Sequence, residues 1–159
     1  ERRDFGERPQ YVVPEGISIF PHYKMPKKIR GRPIDTLQSK FIGDTEILRS
    51  PVAAISTIGQ TFVDMLATPH LCGGMPHIMD VWDNEIEVHL DAVIARVEAD
   101  ERPIVKVKAG YMIAERYEIS NSRVDEWQSF AQRGGSRKLD PMKPYANKWS
   151  ETWQISLNL

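Results

Sequence analysis

Four histidines and one cysteine are the side chains of this 159-residue chain that could hold a transition metal. His70 and Cys72 lie two positions apart, but no second pair of ligands follows at the spacing that structural zinc sites use. His22, His77 and His89 also lack ligand spacing with a cysteine or an acidic pair. We therefore predict no metal and no cofactor, and we interpret Cys72 as a small buried hydrophobic residue.

A second possible chemistry comes from Asp80, Asp83 and Glu87, which lie near one face of a predicted helix. Paired carboxylates can hold the divalent metal ions of nucleases, but no third element completes such a site in the sequence. Ser56 and Ser136 lie in no nucleophile elbow. We expect an interaction domain rather than an enzyme, with a Mg²⁺-dependent nuclease as an alternative.

A short basic segment near the N-terminus contains Lys27, Lys28, Arg30 and Arg32. Within it, the tetrapeptide RGRP matches the core of an AT-hook. Such a core lies extended in the narrow minor groove of A·T-rich DNA, where the negative potential attracts arginine. The segment therefore predicts DNA binding by these four residues, and the alternative is a solvated proline turn between two strands.

A second cationic segment, residues 132–141, combines Arg133, Arg137 and Lys138 with a glycine pair. The glycines free the backbone, and the three cations suit an acidic partner face or a phosphate. We predict that these three residues bind a partner. The alternative is a helix end whose cations complement the helix dipole.

The elements that must position these groups are clearest in residues 55–74, ISTIGQTFVDMLATPHLCGG. A Ser-Thr pair can cap a helix, and apolar residues at i, i+3 and i+4 from Phe62 form one face of it. Gly59 weakens the first turn, and Pro69 ends the helix. Gly73-Gly74 then predicts a tight turn into a second helix.

The remaining pattern places strands first, helices next and one strand last. Period-two alternation in residues 152–159 predicts a closing strand. This order indicates an α+β domain, in which a small mixed or antiparallel sheet of N-terminal strands and the C-terminal strand packs against four or five helices. We predict a flexible segment at 1–10 and a single domain at 11–159. The expected strands are 17–20, 37–42, 46–48 and 52–55, and the expected helices are 75–84, 86–99, 103–117 and 124–130.

Composition describes an ordinary globular protein with 41% hydrophobic and 27% charged residues. The net charge of −1 does not indicate nucleic-acid binding by bulk electrostatics. However, residues 80–101 are strongly acidic, which suits either an interaction surface or solvated helix faces. No apolar run approaches the roughly 20 residues of a membrane span. With one cysteine, the chain is expected to be cytoplasmic.

The helical stretch resembles the C-terminal domain of the AbiEi antitoxin family, whose members often read (V/I)ST-x-x-x-T-x-x-D-L-L-x-x-P-x-L-x-G-G. Residues 108–113 and 153–158 resemble later blocks of the same family, so the resemblance covers about 45–159. The family commonly has Pro and Glu where this chain has Ile58 and Gly59. The matching residues of the first block are Ile55, Ser56, Thr57, Thr61, Asp64, Leu66, Pro69, Leu71, Gly73 and Gly74.

The resemblance implies regulation by binding. Members of this family pair an N-terminal winged helix-turn-helix with a C-terminal domain that neutralises a nucleotidyltransferase-like toxin of the AbiEii type. The sequence here shows no helix-turn-helix pattern ahead of the antitoxin-like part. We therefore expect either a piece of a longer protein or a member without that DNA-binding domain. A DNA-associated module of a defence or mobile-element protein, acting through the RGRP segment, is the alternative.

Overall fold

The computed structural model describes residues 28–29, 31–33, 43–49, 52–132 and 137–159. The chain divides into two compact units, Glu1–Thr57 and Ile58–Leu159. The predicted flexible segment 1–10 and the predicted strands 17–20 and 37–42 lie outside the described residues. The sequence placed no boundary at residue 57, and each unit is described by itself below.

The described residues of the first unit form two antiparallel hairpins. The shorter one pairs β1 (Lys28–Ile29) with β2 (Arg32–Pro33). The longer one pairs β3 (Thr45–Arg49) with β4 (Val52–Ser56), from Thr45 opposite Ser56 to Arg49 opposite Val52. At its open end, the backbone N–H of Thr57 donates to the carbonyl of Asp44 at 3.0 Å. The second hairpin confirms the strand predictions at 46–48 and 52–55.

The second unit begins with two helices joined by a tight elbow, as predicted. Helix α1 (Ile58–Ala67) buries its apolar face and ends just before Pro69, whose missing N–H cannot continue the helix. A 3₁₀ turn, Pro69–Leu71, follows. Gly73 and Gly74 both have φ near +80°, a conformation that glycine adopts without a Cβ penalty. They start helix α2 (Gly74–Ala99).

Helix α2 is one continuous helix of 26 residues, so the predicted break between 84 and 86 is wrong. Residues 84–86 include neither Gly nor Pro, and the side-chain amide of Asn84 donates to the carbonyl of Asp80 inside the helix at 2.6 Å. At 1.5 Å per residue, the helix is about 39 Å long. Its buried face packs on α1, where the rings of Phe62 and Trp82 meet edge to face at 5.0 Å.

The next segment is helical to Arg116, but not uniformly. Helix α3 (Pro103–Gly110) starts at a proline in its first position, and a π-helical segment, Tyr111–Arg116, continues it. The N–H of Tyr117 accordingly bonds to the carbonyl of Met112, five residues back. Helix α4 (Ser122–Glu126) is capped by the side chain of Asn121 and followed by a 3₁₀ turn, Trp127–Phe130.

The C-terminal segment forms a small sheet of its own. Strand β5 (Trp149–Ser150) pairs antiparallel with β6 (Ile155–Ser156), and Lys138 bridges to Ser156 in parallel. The α+β class is therefore confirmed, but the closing strand finds its sheet partners within the C-terminal segment. The predicted strand at 152–159 shrinks to two residues, because the chain turns at Gln154 with φ +50° and also buries Ser156 and Asn158.

The core lies between α1, α2, α3 and the C-terminal segment. Two glycines allow the closest approaches. A Cβ on Gly59 would lie 2.4 Å from the carbonyl oxygen of Ala92, and one on Gly110 would lie 2.1 Å from Cη2 of Trp153. Gly59 thus serves helix packing, a role that the helix-propensity argument did not anticipate. The largest fully buried side chains are Trp82, Trp153, Phe62, Leu66, Ile78, Ile86, Ile94, Met112, Ile113, Leu139 and Ile155.

Candidate functional site

The predicted DNA-binding segment forms the β1–β2 hairpin. Ile29 pairs with Arg32, and Gly31, at φ +80°, lies in the turn. The hairpin differs from the extended form that an AT-hook core takes in the minor groove. It has a turn between two strands, as the alternative expects, but the turn is at Gly31 and Pro33 lies in β2. Lys28 is exposed. Lys27 and Arg30 lie outside the described residues.

The C-terminal loop presents aromatic rings to solvent. Tyr145 and Trp149 stack almost parallel, with ring centroids 6.0 Å apart and planes inclined by 5°. They remain 47% and 42% exposed, and Met142 beside them in the sequence is 70% exposed. The ammonium of Lys138 lies over the ring of Tyr145, 5.3 Å from its centroid. We call this group the cationic–aromatic surface: Lys138, Met142, Lys143, Tyr145, Lys148 and Trp149.

Two of the predicted partner-binding residues border this loop, and both donate within the chain. Lys138 Nζ donates to the carbonyls of Pro141 and Lys143, at 3.0 and 2.8 Å. Arg137 Nη1 donates to the carbonyl of Phe130 at 2.6 Å. Arg133 lies outside the described residues. Partner binding by these residues stays a prediction, and the sequence analysis did not identify the aromatic pair that the fold places beside Lys138.

The exposed side of α2 carries several carboxylates on one face, with Asn84 and Ala95 interspersed. Spacings of seven, four and seven residues place four of these carboxylates on one face of the helix: Asp80, Glu87, Asp91 and Glu98. All four are exposed, and we call them the acidic stripe. Val88, next to Glu87, is the most exposed large hydrophobic residue here at 75%. All four share one helix face because α2 does not break at Asn84.

Asp83 belongs to a different cluster and does not pair with Asp80. Its carboxylate accepts from the hydroxyl of Tyr117 at 2.6 Å and from Arg116 at 3.3 Å. The Tyr117 hydrogen bond, followed by the Arg116 interactions, lowers the pKa of Asp83. Burial and then the Asp83 contact raise the pKa of Tyr117 to about 12. The Tyr117 ring stacks on buried Trp82, so the cluster anchors the π-helical segment to α2.

A buried ionic network joins α1, α2 and α3 at the other end of α2. Arg96 donates to Gln60, which itself donates to Asp64. Asp100 accepts two bonds from the guanidinium of Arg102, at 2.9 and 2.8 Å. Burial raises the pKa of Asp100, but the Arg102 hydrogen bonds and the nearby guanidinium charges outweigh it, so the net pKa is lowered. For Asp64, burial dominates and raises the pKa.

Two lysines on α3 bind carbonyls at the ends of earlier helices. Lys106 Nζ donates to the carbonyls of Val97, Glu98 and Asp100, which satisfies the C-terminus of α2. Lys108 Nζ donates to the carbonyl of Leu66 near the end of α1, at 2.9 Å. Burial lowers the pKa of both amines, and that of Lys108 falls to about 8.

No group of three metal-ligating side chains is present among the residues that the structure describes. Cys72 is half-buried and not in a disulfide, and burial raises the pKa of its thiol. Within the same described ranges, no helix combines the length and the apolar character that a membrane span requires. Comparison of the chain with family models, with curated proteins and with solved structures finds no match.

Proposed function

We propose that this chain is an antitoxin-type domain that neutralises a nucleotidyltransferase-like toxin by binding it, without a cofactor. The observation that supports this proposal best is the acidic stripe on α2. Three exposed carboxylates, Asp80, Glu87 and Asp91, lie on this helix with the exposed side chain of Val88. The fourth carboxylate, Glu98, accepts from the guanidinium of Arg123 at 2.7 Å. Helix faces of this kind suit a partner with a cationic surface.

The chemistry of the proposed partner is complementary. A nucleotidyltransferase must hold the phosphates of a nucleotide, so its cleft concentrates positive potential. An acidic helix would be attracted to that cleft and would exclude the substrate there. Val88, in the middle of the stripe, would add apolar contact area to an otherwise electrostatic interface.

The position of the AbiEi-like residues also supports the proposal. Asp64 is part of the buried ionic network, and Pro69, Gly73 and Gly74 shape the elbow from which α2 starts. The resemblance therefore falls on residues that position α2, the element that carries the stripe.

The test is co-expression with the nucleotidyltransferase-like product of the adjacent gene, with bacterial growth and co-purification as readouts. The variant Glu87→Lys/Asp91→Lys reverses the centre of the stripe. We expect it to lower the affinity at least about tenfold and to abolish growth rescue. The variant Asp125→Lys/Glu126→Lys changes the net charge equally on exposed positions of α4 and should rescue growth fully.

Further variants separate the other contact hypotheses. If Arg137→Ala/Lys138→Ala abolishes the complex and the stripe variant does not, the partner binds at the C-terminal loop, and the assignment to α2 is wrong. Full rescue by every variant, with no complex recovered, would refute neutralisation by binding. The alternative DNA-associated function predicts salt-dependent binding to A·T-rich duplex that Arg30→Ala/Arg32→Ala abolishes.

A further inference from the structure

The cationic–aromatic surface presents large apolar rings that a folded domain of this size would ordinarily bury. Tyr145 and Trp149 stack on each other, yet nearly half of each side chain stays in solvent. Burying an aromatic ring is among the largest hydrophobic gains available to a side chain. Two adjacent rings left at the surface therefore indicate a binding platform.

The loop that presents the rings is held in place by buried polar side chains. Asn158, 4% exposed, accepts from the N–H of Asp140 at 3.0 Å and donates to the carbonyls of Asp140 and Pro144 at 2.8 and 3.0 Å. Ser156, also buried, accepts from the N–H of Ala146 at 3.0 Å.

Between them, these bonds close the loop on both sides of the aromatic pair. The N–H of Leu157 adds a bond to the carbonyl of Lys148 at 2.9 Å, directly before Trp149. The rings are therefore preorganised, and a ligand that stacks on them does not have to order the loop.

The segment that carries the rings is rich in lysine. Residues 137–149 contain four cations and a single carboxylate, Asp140, which is buried. Lys143 and Lys148 are exposed on either side of Tyr145 in the sequence. Lys138 already donates to two carbonyls, so it supports the loop, while Lys143 and Lys148 offer their ammonium groups to a ligand.

We infer that the cationic–aromatic surface binds single-stranded nucleic acid. Unpaired bases stack on aromatic side chains irrespective of sequence, and nearby lysines neutralise the phosphates. A duplex keeps its bases stacked internally and offers no free base face to the rings. A protein partner fits less well, because protein interfaces favour arginine over lysine beside their aromatic residues.

This inference is independent of the proposed function. The acidic stripe lies on α2, whereas the rings lie on the C-terminal loop, and no residue belongs to both. Loss of toxin binding would leave the nucleic-acid surface intact, and the reverse also holds. The test below contains no toxin, so its result bears on nucleic-acid binding and not on the proposed antitoxin function.

The experiment is a fluorescence-anisotropy titration of the full chain with labelled oligothymidine and oligouridine of about 12 nucleotides, at about 50 mM salt. A duplex of the same length is the third probe. We expect both single strands to bind with similar affinity and the duplex to bind more weakly. Tyr145→Ala or Trp149→Ala should each weaken single-strand binding about 5- to 100-fold, the range that loss of one stacked base implies.

Matched variants separate stacking from charge and from folding. Tyr145→Phe keeps the ring and should bind as the wild type does, and Leu71→Ala removes a similarly exposed apolar side chain that lies outside this surface. Lys143→Ala and Lys148→Ala should each reduce the salt dependence by about one phosphate contact. Because all these side chains are exposed, the far-UV circular dichroism should stay unchanged.

Two results would overturn the inference. If the duplex binds as tightly as the single strands, charge alone accounts for binding, because a duplex has the higher charge density. If Tyr145→Ala/Trp149→Ala binds the single strands with wild-type affinity, the rings are not the binding site.

Discussion

The charge on Lys108 makes the stability of this protein depend on pH in the alkaline range. Lys108 is only 4% exposed, and its amine donates to the carbonyl of Leu66. Burial lowers the pKa of Lys108 from 10.5 to about 8. One pH unit of difference between the folded and unfolded pKa is equivalent to about 1.4 kcal/mol. Keeping the amine charged at about pH 7 therefore costs the folded state about 3 kcal/mol.

The sign follows from proton binding. Between about pH 8 and 10.5, the unfolded chain holds the Lys108 proton and the folded chain has released it. The unfolded state thus binds more protons, and the free energy of unfolding rises with pH through this window. From about pH 7 to about pH 9.5, the wild type should gain about 2 kcal/mol from this group.

Urea unfolding at both pH values measures the effect, with Lys108→Met as the test variant. The rise should be about 2 kcal/mol smaller in Lys108→Met than in the wild type. Burial also lowers the pKa of Lys106, in the wild type and in the variant alike. Subtracting the rise measured for Lys108→Met from the wild-type rise therefore removes the contribution of Lys106. Lys143→Met, at an exposed lysine, is the control and should keep the wild-type rise. Equal rises in wild type and Lys108→Met would refute the argument that Lys108 is buried with its charge.

Three other substitutions test the packing and the polar networks. Gly110→Ala should lower the free energy of unfolding by about 3 kcal/mol or more, because the new Cβ would lie 2.1 Å from the ring of Trp153; differential scanning calorimetry measures it. Arg102→Leu should cost about 3 kcal/mol at neutral pH, since it leaves the Asp100 carboxylate buried without its main partner; urea unfolding measures it. Asn158→Leu should cost about 2 kcal/mol, because several loop groups lose their hydrogen bonds; it should also weaken oligonucleotide binding.

Each of these predictions has a matched check. Trp153→Phe in the Gly110→Ala background opens space at the clash, so the double variant should recover part of the loss. The Arg102→Leu penalty should shrink on acidification, because the pKa of Asp100 is lowered in the folded state and its stabilisation is lost as pH falls through that value. Wild-type oligonucleotide affinity in folded Asn158→Leu would contradict the role given to loop rigidity.

Much of the second unit could be predicted from local rules. Pro69 and the glycine pair mark the elbow between α1 and α2, and the apolar spacing from Phe62 identifies the buried face. Pro103 marks the start of α3. These features depend on backbone sterics and on a 3.6-residue period, which operate within one or two turns.

Of the candidate sites, the sequence located the cationic segments but not their geometry. It drew attention to Lys138, whereas the stacking of Tyr145 on Trp149 requires a loop closed by Asn158, which lies 13 residues further along the chain than Tyr145. It also divided α2 into two helices, which hid that the acidic stripe lies on a single helix. The aromatic pair has no local signal, whereas the acidic residues of the stripe are visible in the sequence.

The sequence by itself determined the α+β class, the elbow and the main apolar faces, because proline, glycine and hydrophobic periodicity act over a few neighbouring residues. Tertiary structure decided which polar groups are buried and which rings are exposed. Lys108 contacts the carbonyl of Leu66 at the end of α1, 42 residues earlier in the chain. Gly110 packs against Trp153, which lies near the C-terminal end of the sequence. Such contacts arise from packing between distant segments, and no spacing in the sequence encodes them.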